Sequence, residues 1–169
     1  MRATGSVTVL IETGIASQTL ILRDDAGKKL AQWRIASALK GVGEQYGSER
    51  TPRGWHVIRA RIGAGLPAGA VLVSRRPTGE IYAPELRRRF PGRDWILTRI
   101  LWLSGLERGR NRLGQVDTMR RYIYIHGCPD EDPMGVPSSH GCIKMRNSEI
   151  IELFDRVPAG TRVHIREEG

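Results

Sequence analysis

The apolar positions of the chain fall mostly in short runs of four to eight, with little of the three-and-four spacing that marks helices, so strands dominate the reading. Ser6-Val-Thr-Val-Leu-Ile-Glu12 is β-branched and ends before Gly14. Gln18-Thr-Leu-Ile-Leu-Arg23 follows as a second strand, and Asp24-Asp-Ala-Gly-Lys28 supplies turn residues for a hairpin. Leu30 to Ala36 continues the alternation and completes an antiparallel meander. Lys40 to Gly54 is polar, glycine-rich and closes on Thr51-Pro-Arg-Gly54, a loop. Trp55 to Ile62 alternates apolar with basic residues, as a half-exposed strand does, and Ala70 to Ser74 is another strand candidate.

The pattern changes at Pro84. Through Val116, clusters of large apolar residues alternate with arginines and glycines, and Asp94 is placed to cap a helix from Trp95 to Ser104. Core helix and glycine-punctuated flap over a cleft both fit this segment. Arg121-Tyr-Ile-Tyr-Ile125 is a strand that delivers His126 at its end, and the proline-rich stretch from Pro129 to Pro137 is loop. Asn147 is expected to cap a helix from Ser148 to Arg156, with Ile150, Ile151, Leu153 and Phe154 on its apolar face. Thr161-Arg-Val-His-Ile165 closes the chain as a strand. The fold class expected is mainly β with short helices, in one domain of 169 residues.

Charge narrows the function. The 27 Lys and Arg against 18 Asp and Glu leave a net +9, which draws anionic partners of any kind. Nucleic acid is not expected, because the basic residues are dispersed, aromatics are only 6%, and no DNA- or RNA-binding motif is present. Val7 to Ile11 is too short for a secretory core and no run approaches a membrane span, so neither membrane insertion nor export is expected, and a cytoplasmic location is. Two cysteines in such a chain are expected as free thiols.

The chemistry concentrates in a single window, where His-Gly-Cys occurs twice, at 126–128 and 140–142. Three readings compete. Zinc accepts two His and two Cys, but one-residue spacings give the chain little reach around an ion. Buried, inert thiols are the second reading, and the preferred one for Cys128. The third is a Cys/His nucleophilic pair. Cys142 follows Gly141, whose lack of a side chain admits a substrate carbonyl, and the nearby Lys144 and Arg146 favour a thiolate.

Tyr124-Ile-His-Gly127, a loop, and Ser139-His-Gly-Cys-Ile-Lys-Met145 resemble the signature of the L,D-transpeptidase (YkuD-like) catalytic domain. Thr51-Pro-Arg-Gly54 is similar to that family's upstream T-P-x-G element, and Gly160 to Ile165 resembles its closing strand. The resemblance spans essentially the whole chain. It implies a mixed β-sandwich with a lid at 84–116 and one helix near the C-terminus. It implies Cys142 as nucleophile, His126 as general base, and the Gly127 carbonyl as the group that orients the imidazole. Ser139 and His140 would shape the site, the N–H groups of Gly141 and Cys142 would face the oxyanion, and Tyr124 would be a neighbour. Recognition of a substrate carboxylate by Lys144 or Arg146 is conjecture here, since Lys144 stands where some members carry Asn. No metal or cofactor is implied. The implied substrate is a murein tetrapeptide, cleaved before its terminal D-Ala through a thioester, with carbapenem-type β-lactams as inhibitors. An L,D-carboxypeptidase of murein recycling is expected. Cross-linking by transpeptidation, and a zinc-stabilised or peptide-binding module without catalysis, are the alternatives.

Overall fold

The computed structural model describes residues 8–168, so the expected start of the first strand at Ser6 and Val7 lies outside the described residues. The first three strands, β1 (Val9–Gly14), β2 (Thr19–Asp24) and β3 (Lys29–Arg34), form the antiparallel meander that the alternation predicts. β4 (Gly54–Ile62), β5 (Ala70–Val73), β6 (Arg76–Ile81) and β7 (Ile96–Gly105) follow, with helix α1 (Pro84–Arg89) before β7. Then come β8 (Tyr124–Gly127), β9 (Ile143–Met145), helix α2 (Asn147–Arg156) and β10 (Arg162–Arg166). One mixed sheet runs β3-β2-β1-β10-β4-β7-β5-β6, and β8 branches from β7 and carries β9 on its other side. The sheet curls back on itself, because Ala36, just past β3, bridges Lys144 of β9, and Ala38 bridges Ser139.

The core fills the inside of this curl. Ile11, Leu20, Leu22, Ile58, Leu101, Leu103, Ile125 and Ile143 are almost fully buried. Each such side chain contributes roughly 1.5–3 kcal/mol of transfer free energy. α2 seals the core with Ile150, Leu153 and Phe154, spaced three and four apart on one face. It ends at Val157, before Pro158, because a residue preceding proline is pushed out of the helical region. Among the described residues no helix is long and apolar enough to cross a membrane.

Two expectations are corrected here. Residues 95–104 are not a helix, and the segment 84–116 expected as a lid contains a strand of the sheet. Its middle is β7, the ten-residue strand that pairs with β4, β5 and β8 at the centre of the sheet. A strand buried on both faces shows no period-two alternation, so its apolar run looks the same as a buried helix. Asp94 is not a cap but an exposed residue at a pocket wall. Asn147 is also not a cap: α2 has no side-chain cap at its start, and the Asn147 amide donates to the Cys128 carbonyl at 3.0 Å.

His56 on β4 is fully buried, its Nδ1–H donating to the Gly54 carbonyl at 3.0 Å and its Nε2 accepting from Thr118 Oγ1 at 2.9 Å. Burial pushes its pKa down to about 4. The unfolded chain therefore takes up a proton below its ordinary value of 6.5 while the folded chain does not, and stability falls as pH drops between those values. We expect a loss of about 3 kcal/mol by pH 4 from this residue. Urea titrations at several pH values should show a shallower acid slope for His56→Gln than for the parent; equal slopes would assign the loss to other groups.

Candidate active site

β8 and β9 lie side by side and parallel, pairing Ile125 with Ile143, His126 with Lys144 and Gly127 with Met145. Paired residues of parallel strands share a face, and residues two apart along one strand do too. The register therefore sends Ile125, Ile143 and Met145 into the core and Tyr124, His126, Cys142 and Lys144 to the opposite side. There they line a pocket of about 410 Å³, together with Ser139, His140, Ser74, Arg75, Asp94, Arg121 and Tyr122. The register pairs residues 18 positions apart and so sets His126 and Cys142 on one face.

The loop that presents Cys142 is tied down on both sides. Ser139 Oγ donates to the Cys142 carbonyl at 2.5 Å and accepts from the Gly141 N–H at 3.2 Å. Thr51, the first residue of Thr51-Pro-Arg-Gly54, donates from Oγ1 to the Gly141 carbonyl at 2.9 Å and accepts from the Ala38 N–H at 3.0 Å. Gly141 has φ +132°, a conformation that favours glycine, and a Cβ there would sit tightly at 3.0 Å from Ile123 and 3.3 Å from the Arg50 carbonyl. The Gly141 N–H, expected to face an oxyanion, is engaged by Ser139 Oγ in this structure. His140 is exposed at the pocket rim.

His126 is 1% exposed, and its Nδ1 lies 2.6 Å from the Gly127 carbonyl. A carbonyl only accepts, so Nδ1 carries the proton and Nε2 keeps its lone pair. Burial holds the imidazole pKa below its ordinary value, against Asp94 and the Gly127 carbonyl, so the ring is a neutral base at neutral pH. Gly127 cannot be larger: a Cβ would come within 2.5 Å of Asn147 Oδ1 and 2.6 Å of the Leu97 carbonyl. Asn147 Oδ1 in turn accepts from Thr98 Oγ1 at 2.6 Å. Thr98, with φ +75°, sits where the register of β7 against β8 slips. Strain of this kind is held by the surrounding structure and clusters at functional sites.

Cys142 keeps part of its surface on the pocket. Its Sγ accepts from the Tyr124 N–H at 3.3 Å and lies 3.4 Å from the Tyr122 carbonyl. Burial pushes the thiol up to about 12, opposed by the Tyr124 N–H and the Arg121 guanidinium, with Asp94 adding to the rise. The resting pair is therefore neutral thiol and neutral imidazole, and a base must take the proton as attack occurs. For the free protein, the rate of Cys142 alkylation by iodoacetamide should keep climbing above about pH 9. A plateau near neutral pH would instead report a preformed thiolate.

The cations sort differently from expectation. Lys144 lines the pocket, but Asp132 matches its charge at 2.9 Å. Arg146 turns to the proline loop, donating to the carbonyls of Asp130 and Asp132 at 2.5 and 2.9 Å, and does not line the pocket. Arg121, which sequence reasoning missed, is the cation that favours the thiolate. It is oriented by the Gly43 and Arg50 carbonyls and Ser48 Oγ. Its only local signal is its position just before the Tyr-Ile-Tyr-Ile strand. Tyr124 stands edge-on to Trp102, and its hydroxyl accepts from Arg75 at 3.1 Å.

Cys128, just past β8, is 0% exposed, with its S–H directed to the Met145 carbonyl at 3.3 Å and its pKa pushed by burial to about 12. It is placed as an inert thiol. With Cys128 in the core and His140 at the rim, the four His and Cys residues are not gathered, and no group of three or more metal-ligating side chains forms among the described residues.

One family, described as the L,D-transpeptidase catalytic domain (YkuD), matches residues 8–165. The chain belongs to the YkuD family. YkuD of Bacillus subtilis, which carries the name L,D-transpeptidase, is 34% identical over 94 residues, 56% of this chain and 47% of that protein. An L,D-transpeptidase from Mycobacterium smegmatis has the same fold, with a TM-score of 0.59 at 17% identity over 95% of this chain and 59% of that one. L,D-transpeptidase 3 from Mycobacterium tuberculosis, solved with a faropenem-derived adduct, gives a TM-score of 0.59 at 15% identity, over 95% of this chain and 61% of its own. The chain thus spans about half to three-fifths of the length of these proteins.

Proposed function

We propose that this YkuD domain is a cysteine acyl-transfer enzyme of peptidoglycan stem peptides, with Cys142 as nucleophile and His126 as its base. The observation that carries the reading is the register of β8 against β9, which sets an imidazole with a free Nε2 and a thiol on one face of one pocket. In the proposed reaction Sγ bonds to the carbonyl carbon of the diamino acid while its proton passes to His126 Nε2. The collapse of the tetrahedral adduct breaks the bond to D-Ala, whose nitrogen takes that proton, and a thioester remains. His126 then takes a proton from the acceptor, which attacks the thioester and frees the thiol.

Water is the acceptor we favour, making the enzyme an L,D-carboxypeptidase that trims soluble, recycled muropeptides. With Lys144 matched by Asp132, Arg75 and Arg121 stand against Asp94 on the pocket wall. A protonated amine approaching this thioester meets net positive charge, and water does not. Incubating the protein with a defined tetrapeptide, with and without an amine acceptor, should give tripeptide and free D-Ala in both arms. Cross-linked dimer without tripeptide would assign transpeptidation instead. β-Lactams of the carbapenem and penem classes should acylate the same sulfur, since they present a strained acyl group to it.

A further inference from the structure

Arg75 occupies a position that its backbone resists. Two residues, Ser74 and Arg75, join β5 to β6, and both have positive φ, +48° and +65°. A two-residue hairpin turn with both central residues left-handed suits Asn-Gly, because a Cβ opposes that conformation. The turn nonetheless carries an arginine, and its side chain is held firmly. The guanidinium lies 4.6 Å from the Trp102 ring centroid and 5.0 Å from that of Tyr122, and donates to the Tyr124 hydroxyl at 3.1 Å. Among the described residues it forms no ion pair, and Asp94 is the one carboxylate that lines the same pocket. Lys144 and Arg87, by contrast, share Asp132 at 2.9 and 2.7 Å. Arg75 is thus a pocket-lining cation held by Tyr124 and two aromatic rings, without an ion-pair partner among the described residues.

Tyr124 also measures its reach. The Tyr124 N–H donates to Cys142 Sγ and the Tyr124 hydroxyl accepts from Arg75, so sulfur and guanidinium stand at the two ends of one tyrosine. A guanidinium has five N–H donors, and a fork of this kind takes a carboxylate through paired bonds. We propose that Arg75 is a specificity-determining residue that grips a free carboxylate of the donor peptide, about one side-chain length from the carbonyl that Cys142 attacks. The carboxylate at the far end of a diamino diacid side chain has that reach. The proposal rests on the acyl-transfer reading above and names its substrate class: donors whose diamino acid is a diacid with the distal carboxylate free.

The test compares two tetrapeptides that differ only at this group, one free acid and one amide. The parent protein should prefer the acid by about 10- to 100-fold in kcat/KM, the worth of a charge-assisted pair. Arg75→Gln should lose that preference by slowing on the acid while the amide rate stays put, and Arg75→Lys should restore part of it. The pair Ser74→Asn with Arg75→Gly relaxes the turn and removes the cation together. It should melt no lower than the parent yet show the same lost preference, which separates lost charge from a damaged hairpin. An acid preference that survives in Arg75→Gln, or a parent without one, would overturn the proposal. Should the parent turn over neither peptide, the acyl-transfer reading fails on its own. Calorimetric binding of the two peptides to Cys142→Ala, with and without Arg75→Gln, then decides: acid preference only with Arg75 present upholds the carboxylate grip, and equal binding refutes it.

Discussion

Cys142→Ala is expected to abolish tripeptide release from a tetrapeptide while leaving the fold intact. The substitution removes a sulfur that touches the Tyr122 carbonyl and the Tyr124 N–H at the floor of an open pocket, and the strands that carry it are fixed by backbone pairing and by Ser139 and Thr51. The cost in stability should be about 1 kcal/mol or less, because the site is not closed around the lost atom. Cys128→Ser is the control. A serine hydroxyl at this buried position still reaches the Met145 carbonyl, and Cys128 does not line the pocket, so most activity should survive. Product analysis by mass spectrometry, beside thermal melts of both variants, checks the pair. Inactivation by Cys128→Ser with survival of Cys142→Ala would identify Cys128 as the nucleophile.

His126→Gln is expected to lower kcat/KM by about 10²- to 10⁴-fold, the range of a positioned general base. The loss should be large here because the thiol is held far above neutrality, so without a base almost none of it ionises at pH 7. Raising the pH should recover part of the variant's rate as hydroxide substitutes for the imidazole. A variant with a near-normal rate at neutral pH would show that another group removes the proton.

The sequence announced some of this plainly and concealed the rest for identifiable reasons. The meander of β1 to β3, the half-exposed β4, the strand into His126 and the closing β10 all alternate or end on turn residues, and all appear in the structure. The helix α2 is legible from the spacing of Ile150, Leu153 and Phe154. β7 was misread because burial on both faces erases alternation, and β6 was missed because Arg-Pro-Thr-Gly-Glu-Ile reads as loop. The pairing of β8 with the three-residue β9 is a tertiary fact with no local signal. The chemistry divides the same way. His126 and Cys142 sit in a recognisable window, and Thr51 belongs to an element noted from the sequence whose role emerges only from its bond to the Gly141 carbonyl. Lys144 and Arg146 looked suitable because they lie near Cys142 in sequence, yet Asp132 and the proline loop occupy them. The pocket's working cations, Arg75 and Arg121, come from elements 67 and 21 positions away along the chain from Cys142.

Site mapping of the covalent adduct tests the central claim most directly. The protein is mixed with a carbapenem or with tetrapeptide, quenched in acid, and analysed by intact mass and then by peptide mapping. One acyl group per chain on the peptide bearing Cys142, absent from Cys142→Ala and slow to form in His126→Gln, is the result predicted. Acylation at Cys128, or turnover by a protein whose Cys142 never carries the acyl group, would contradict it.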